Sequence, residues 1–172
     1  LFTQSNMVTP GAIVLDVVNQ LAYVRNTSRM SIFSVASIGA ELSTSTSSST
    51  DESTANNFVT LLVTGTSTGT STVQLDITGG TATAVTDYSS SDPITITIPP
   101  GIYDGTASTS IAITLPTLVQ DSLVETGGET ITFSLINPNN VIIEDSNADT
   151  VIQSSYTYTI TDDDVASVVS TT

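Results

Sequence analysis

The chain has no Cys, no His and no Trp, and Arg25 and Arg29 are its only basic residues in 172. Each absence closes a class of function. Without imidazole, thiol or lysine amine there is no histidine base, no thiolate nucleophile, no Schiff-base amine and no zinc site of the usual N/S kind. With two arginines against 17 acidic residues, a net charge of −15 repels phosphates, and no basic stripe can release counterions from nucleic acid. Aromatic residues are only 5% of the chain, too few for the stacking platforms of a sugar-cleaving cleft, so a carboxylate-pair glycosidase is not expected. The sequence therefore predicts a protein that is not an enzyme.

Long apolar runs are missing too. The best, Ala12 to Val18, is broken by Asp16 and falls far short of the roughly 20 residues of a spanning helix, so no membrane insertion is expected. The chain opens at Leu1 without an initiator Met or a basic leader, which reads as a processed or excised product. Charged residues make up only 11%, unlike the dense carboxylate surface of a salt-adapted protein. Ser and Thr, about one third of the chain, take over the surface. A hydroxyl-rich chain without Lys suits an extracellular or cell-surface life among proteases, where disulfides are optional.

What is present is a period of two. Val73 to Thr78, Ile94 to Ile98, Ile111 to Leu115, Ile131 to Leu135 and Tyr156 to Ile160 each alternate an apolar face with a hydroxyl face. Phe58 to Val63 is more continuously apolar, as expected of a strand in mid-sheet. Turn signals separate the runs at Gly65, Gly69, Gly79-Gly80, Pro99-Pro100-Gly101, Gly127-Gly128 and Asn137 to Asn140. Short strands between turns predict an all-β, two-sheet sandwich. Ser43 to Thr54 reads as a low-complexity loop or bulged edge strand. Residues 1–37 carry three apolar patches, around Val14, Tyr23 and Phe33, expected as extra strands before a sandwich spanning 38–165, with 166–172 as a tail or linker. Asn26-Thr27-Ser28 is a glycosylation sequon, and Ala12 to Val35 bears a weak likeness to one propeller-blade repeat.

Eight carboxylates cluster beside turns: Glu52; Asp87; Asp121, Glu125 and Glu129; and Asp162, Asp163 and Asp164. Three successive Asp bring like charges within a few ångströms, which calls for a cation or full solvation. Carboxylates on loops are what Ca²⁺ requires, since it takes about 6–8 oxygen ligands. The alternative is that these residues cap backbone N–H groups, Asp87 in an Asx-turn among them. Glu144, Asp145 and Asp149 read as a solvated loop.

Four blocks carry a family resemblance: Gly79-Gly80-Thr81-Ala82-Thr83 through Asp87-Tyr88; Ile98-Pro99-Pro100-Gly101; Asp121 to Glu125 with Glu129 to Leu135; and Thr159 to Asp164. In order and spacing they resemble a Calx-beta domain over about residues 38–165. The resemblance implies a Greek-key, immunoglobulin-like sandwich that binds Ca²⁺ in the loops at one end, and it casts all eight carboxylates as ligands. The chain departs from the family pattern at Gln120, where many members have a second Asp, and at Gly127-Gly128, which sets Glu125 and Glu129 one residue further apart. Two roles stay open. One is a Ca²⁺-stiffened module of an adhesin or surface stalk, meeting neighbouring domains and a surface glycan or protein ligand. The other is an extracellular, pilus-like filament of identical subunits joined by strand donation from residues 1–37.

Overall fold

The alternating runs fold as strands because each offers one face of branched aliphatics to a core and one of hydroxyls to water. The computed structural model describes residues 12–16, 21–26, 29–34, 38–49, 51–53, 59–89, 92–125 and 127–165. The chain divides into two compact units, Leu1–Ser37 and Ile38–Thr172. Among the described residues no helix is long and apolar enough to cross a membrane.

The first unit is a three-stranded antiparallel meander of β1 (Ala12–Asp16), β2 (Leu21–Asn26) and β3 (Arg29–Ser34). Val14 stands opposite Tyr23, and Arg25 opposite both Ala12 and Met30. Thr27 and Ser28 of the sequon lie outside the described residues.

The second unit is an all-β sandwich. Its strands are β4 (Gly39–Leu42), β5 (Thr46–Ser48), β6 (Thr60–Ser67), β7 (Ser71–Gly80), β8 (Tyr88–Ser89), β9 (Ile94–Ile98), β10 (Gly101–Asp104), β11 (Ile111–Ala112), β12 (Thr117–Leu118), β13 (Glu129–Asn139), β14 (Ile142–Ile143) and β15 (Ser155–Ile160). One sheet runs β10-β6-β4-β14, with β11 also on β6; the other runs β5-β15-β13-β7-β9; and β12 pairs with β8. Ile38, just before β4, and Ala40, Leu42, Leu61 and Val63 from the first sheet share one core with Val73, Leu75, Ile98, Phe133 and Tyr156 from the second. Phe133 stacks on Tyr156 with ring centroids 5.9 Å apart.

β6, the continuously apolar run, lies between β10 and β4, and Phe58 is outside the described residues. The Ser/Thr stretch supplies an edge: β5 pairs parallel to β15, Thr46 opposite Thr157. Ile111 to Leu115 pairs only over its first two residues, although Ile113 and Leu115 are buried. Pro116, which has no N–H to donate, ends that run before β12. Tail residues 166–172 lie outside the described residues.

Candidate functional site

The strand directions alone gather the carboxylates at one end. β15 ends at Ile160 and leads into Asp162 to Asp164. Because β5 runs parallel to β15, the chain leaves it at the same end, toward Glu52. β13 is antiparallel to β15 and starts there with Glu129; β7, antiparallel to β13, finishes there at Gly80 and enters the Asp87 loop. Pairing of β8 with β12 then sets Asp121 beside Asp87, reinforced by Val119 N–H donating to the Asp87 carbonyl at 2.9 Å.

Short polar contacts lock these loops together. Ser49, which is buried, accepts the Thr161 N–H on its hydroxyl at 2.8 Å, and its carbonyl accepts the Thr161 hydroxyl at 2.8 Å. Thr81 and Ala82 N–H groups both donate to the Thr130 carbonyl, at 2.9 and 3.0 Å. That approach explains Gly80: its φ is +123°, and a Cβ there would run into the Thr130 carbonyl oxygen.

Two groups of carboxylates converge, Glu52 with Asp121 and Asp164, and Asp87 with Asp121 and Glu125. Within each group the oxygens lie within 4.8 Å of one another, and Asp121 belongs to both. Glu52 is only 3% exposed. Burial, then the neighbouring carboxylates Asp121, Glu125 and Asp162, raise its pKa, while the Asp121 backbone N–H works the other way. Burial first and neighbouring carboxylates second also raise Glu125 and Asp164. Glu129, half-buried, is raised to about 7, first by desolvation and then by its hydrogen bond to Asp87 and the neighbouring charges. Its Oε2 and the Oδ2 of Asp164 are buried with no hydrogen-bond partner.

The three consecutive aspartates follow the end of β15 and do different work. Asp162 caps: its Oδ2 accepts the Glu125 N–H at 2.6 Å and its Oδ1 the Asp164 N–H at 2.8 Å. Asp163 is exposed and meets Gln120, whose Nε2 donates to its Oδ1 at 3.1 Å. Asp164 alone of the three joins a carboxylate group. Asp87 joins a group and also accepts the Thr83 N–H from four residues earlier, a backbone cap of its loop rather than the expected Asx-turn, which takes the N–H two residues later. Asp121 likewise accepts the Leu123 N–H at 2.7 Å.

Sequence reading passed over Glu41. It is fully buried in β4, and its carboxylate accepts N–H groups of Ser146 at 2.8 Å, Asn147 at 2.9 Å and Gln153 at 3.1 Å. Those donors lie 105 to 112 residues away, so no local signal announces them. In the Glu144 to Asp149 loop, Asp145 turns inward on the loop itself, taking the N–H groups of Ala148 and Thr150 at 2.7 Å each.

No family model matches the chain, and no curated protein matches it.

Proposed function

We propose that Ile38–Thr172 is a non-catalytic, Ca²⁺-binding structural module of the Calx-beta type, part of a secreted or cell-surface adhesin or stalk protein. The observation that carries this reading is the pair of carboxylate groups sharing Asp121, with two buried carboxylate oxygens beside them that have no donor. A native fold rarely leaves buried polar atoms unpaired, and gathering like charges raises the energy further. A hard divalent cation relieves both. The donors are all oxygen, with no His or Cys in the chain, which favours Ca²⁺ over Zn²⁺; oxygens spread over four loops suit its large, flexible shell better than the tight octahedron of Mg²⁺. Glu52, Asp121 and Asp164 would hold one ion, and Asp87, Asp121 and Glu125 a second, with Glu129 supplying its free oxygen and Asp162 holding the loops in place. Bound ions would tie the loops after β5, β12 and β15 into one rigid end facing a neighbouring domain.

Thermal melts in EDTA and in several millimolar Ca²⁺ test this. At about 100 times the dissociation constant the folded state gains roughly 2.7 kcal/mol, a shift of several degrees for a domain of this size. Identical melts in the two buffers would remove the ion site.

The filament reading finds its support in the first unit, where β1 and β3 are edge strands of their own sheet. Each offers a row of backbone groups that a neighbouring subunit's sheet could extend. Electron microscopy separates the two: long assemblies of the full chain favour the filament, and monomers under all Ca²⁺ conditions favour the module.

A further inference from the structure

One neutral side chain stands among the carboxylates. Gln120 follows β12 and is exposed, and its Nε2 donates to Asp163 Oδ1 at 3.1 Å, lies 3.5 Å from Glu52 Oε2 and meets the Asp121 carbonyl at 3.3 Å. The loops after β5, β12 and β15 thus meet at a single nitrogen. No other side-chain nitrogen among the described residues donates to the eight carboxylates. Its orientation is dictated by its neighbours: turned the other way, the amide oxygen would face carboxylate oxygens. The amide N–H group offers partial positive charge to Glu52, which a cation in the first carboxylate group also needs, and a cation repels it. Both cannot use Glu52 at once; Asp163, outside both groups, only anchors the amide.

We infer that Gln120 is a clasp: it holds the loops of the carboxylate end together without an ion and releases them when one binds. It is a positioning residue, and the inference rests on the Ca²⁺ reading above. Because the clasp has to open, ion affinity is set below the value a carboxylate at this position would give. The module keeps its end ordered when Ca²⁺ is scarce, and responds only at higher concentration.

Two variants test this. Gln120→Glu keeps the shape, deletes the donor and adds a charge. Its melting temperature in EDTA falls by several degrees and its Ca²⁺ dissociation constant tightens about tenfold, since affinity follows ligand charge. Gln120→Ala deletes the clasp without adding charge; its EDTA melt also falls, and Ca²⁺ binding tightens about threefold by linkage, because only the ion-free state loses a contact. Two results overturn the clasp while the ion site stands: both variants melting and binding like the natural chain, or Gln120→Ala binding Ca²⁺ more weakly, which makes the amide oxygen a ligand. A natural chain with no Ca²⁺ response overturns the ion reading instead, and the competition with it.

Discussion

Two buried carboxylates of one domain, Glu41 and Glu52, have opposite surroundings. Glu41 is 0% exposed and takes three backbone N–H groups from the loop before β15; every donor is a dipole aimed at its charge. Glu52 is nearly as buried, yet Asp121, Glu125 and Asp162 press like charge on it and Gln120 reaches it only at 3.5 Å. Depth does not separate a satisfied acid from an unsatisfied one; the sign of what surrounds it does. Glu41 is a finished interaction that staples a loop to β4. Glu52 and its neighbours form an unfinished one.

The sharpest way to break this contrast is at Glu41. Glu41→Ala leaves the buried Ser146 N–H and the part-buried Asn147 and Gln153 N–H groups without their acceptor, and the loss is about 3 kcal/mol, equal in EDTA and in Ca²⁺. Urea titrations in both buffers measure it. A loss that Ca²⁺ repairs would put Glu41 in the ion site and collapse the distinction.

The second test is pH. Glu129 has a folded pKa of about 7 against 4.5 in a free chain, so the folded state holds a proton that the unfolded state has released between those values. Without Ca²⁺, stability therefore falls as pH rises from about 4.5 to about 7 and levels off above. Glu129→Gln flattens the slope. Melts in EDTA across that window check the sign; stability that rises toward pH 7 would mean that the cluster is not self-repelling.

The smallest effect belongs to Asp163. It is exposed, joins neither carboxylate group and contacts Gln120, so Asp163→Asn shifts stability by no more than about 0.5 kcal/mol and leaves Ca²⁺ binding nearly unchanged. A large loss of Ca²⁺ response would return Asp163 to the ligand set implied by the family likeness.

Much of the fold was legible because the period of two was. β7, β9, β13 and β15 lie where Val73 to Thr78, Ile94 to Ile98, Ile131 to Leu135 and Tyr156 to Ile160 alternate. That acids lie beside turns was legible in the residues, whereas the meeting of Glu52, Asp87, Asp121, Glu125 and Asp164 was implied only by the family likeness. Their division of labour was legible in neither. Whether an aspartate caps, as Asp162 does, or faces other acids, as Asp164 does, depends on loop conformation that adjacent identical residues cannot express. Gly79-Gly80 read as a turn, yet the demand at Gly80 comes from the nearness of the Thr130 carbonyl across the sheet. Glu41 left no trace, since its partners come from a loop over 100 residues later.

Asp121 is the residue common to both carboxylate groups, so it carries the central claim. Titrating Ca²⁺ by calorimetry into the metal-free chain and into Asp121→Asn tests that claim most directly. The account predicts saturable binding by the natural chain, at least about tenfold weaker in Asp121→Asn, while the variant melts no lower in EDTA because one repelling charge is gone. Equal binding by both chains, or none by either, would contradict it.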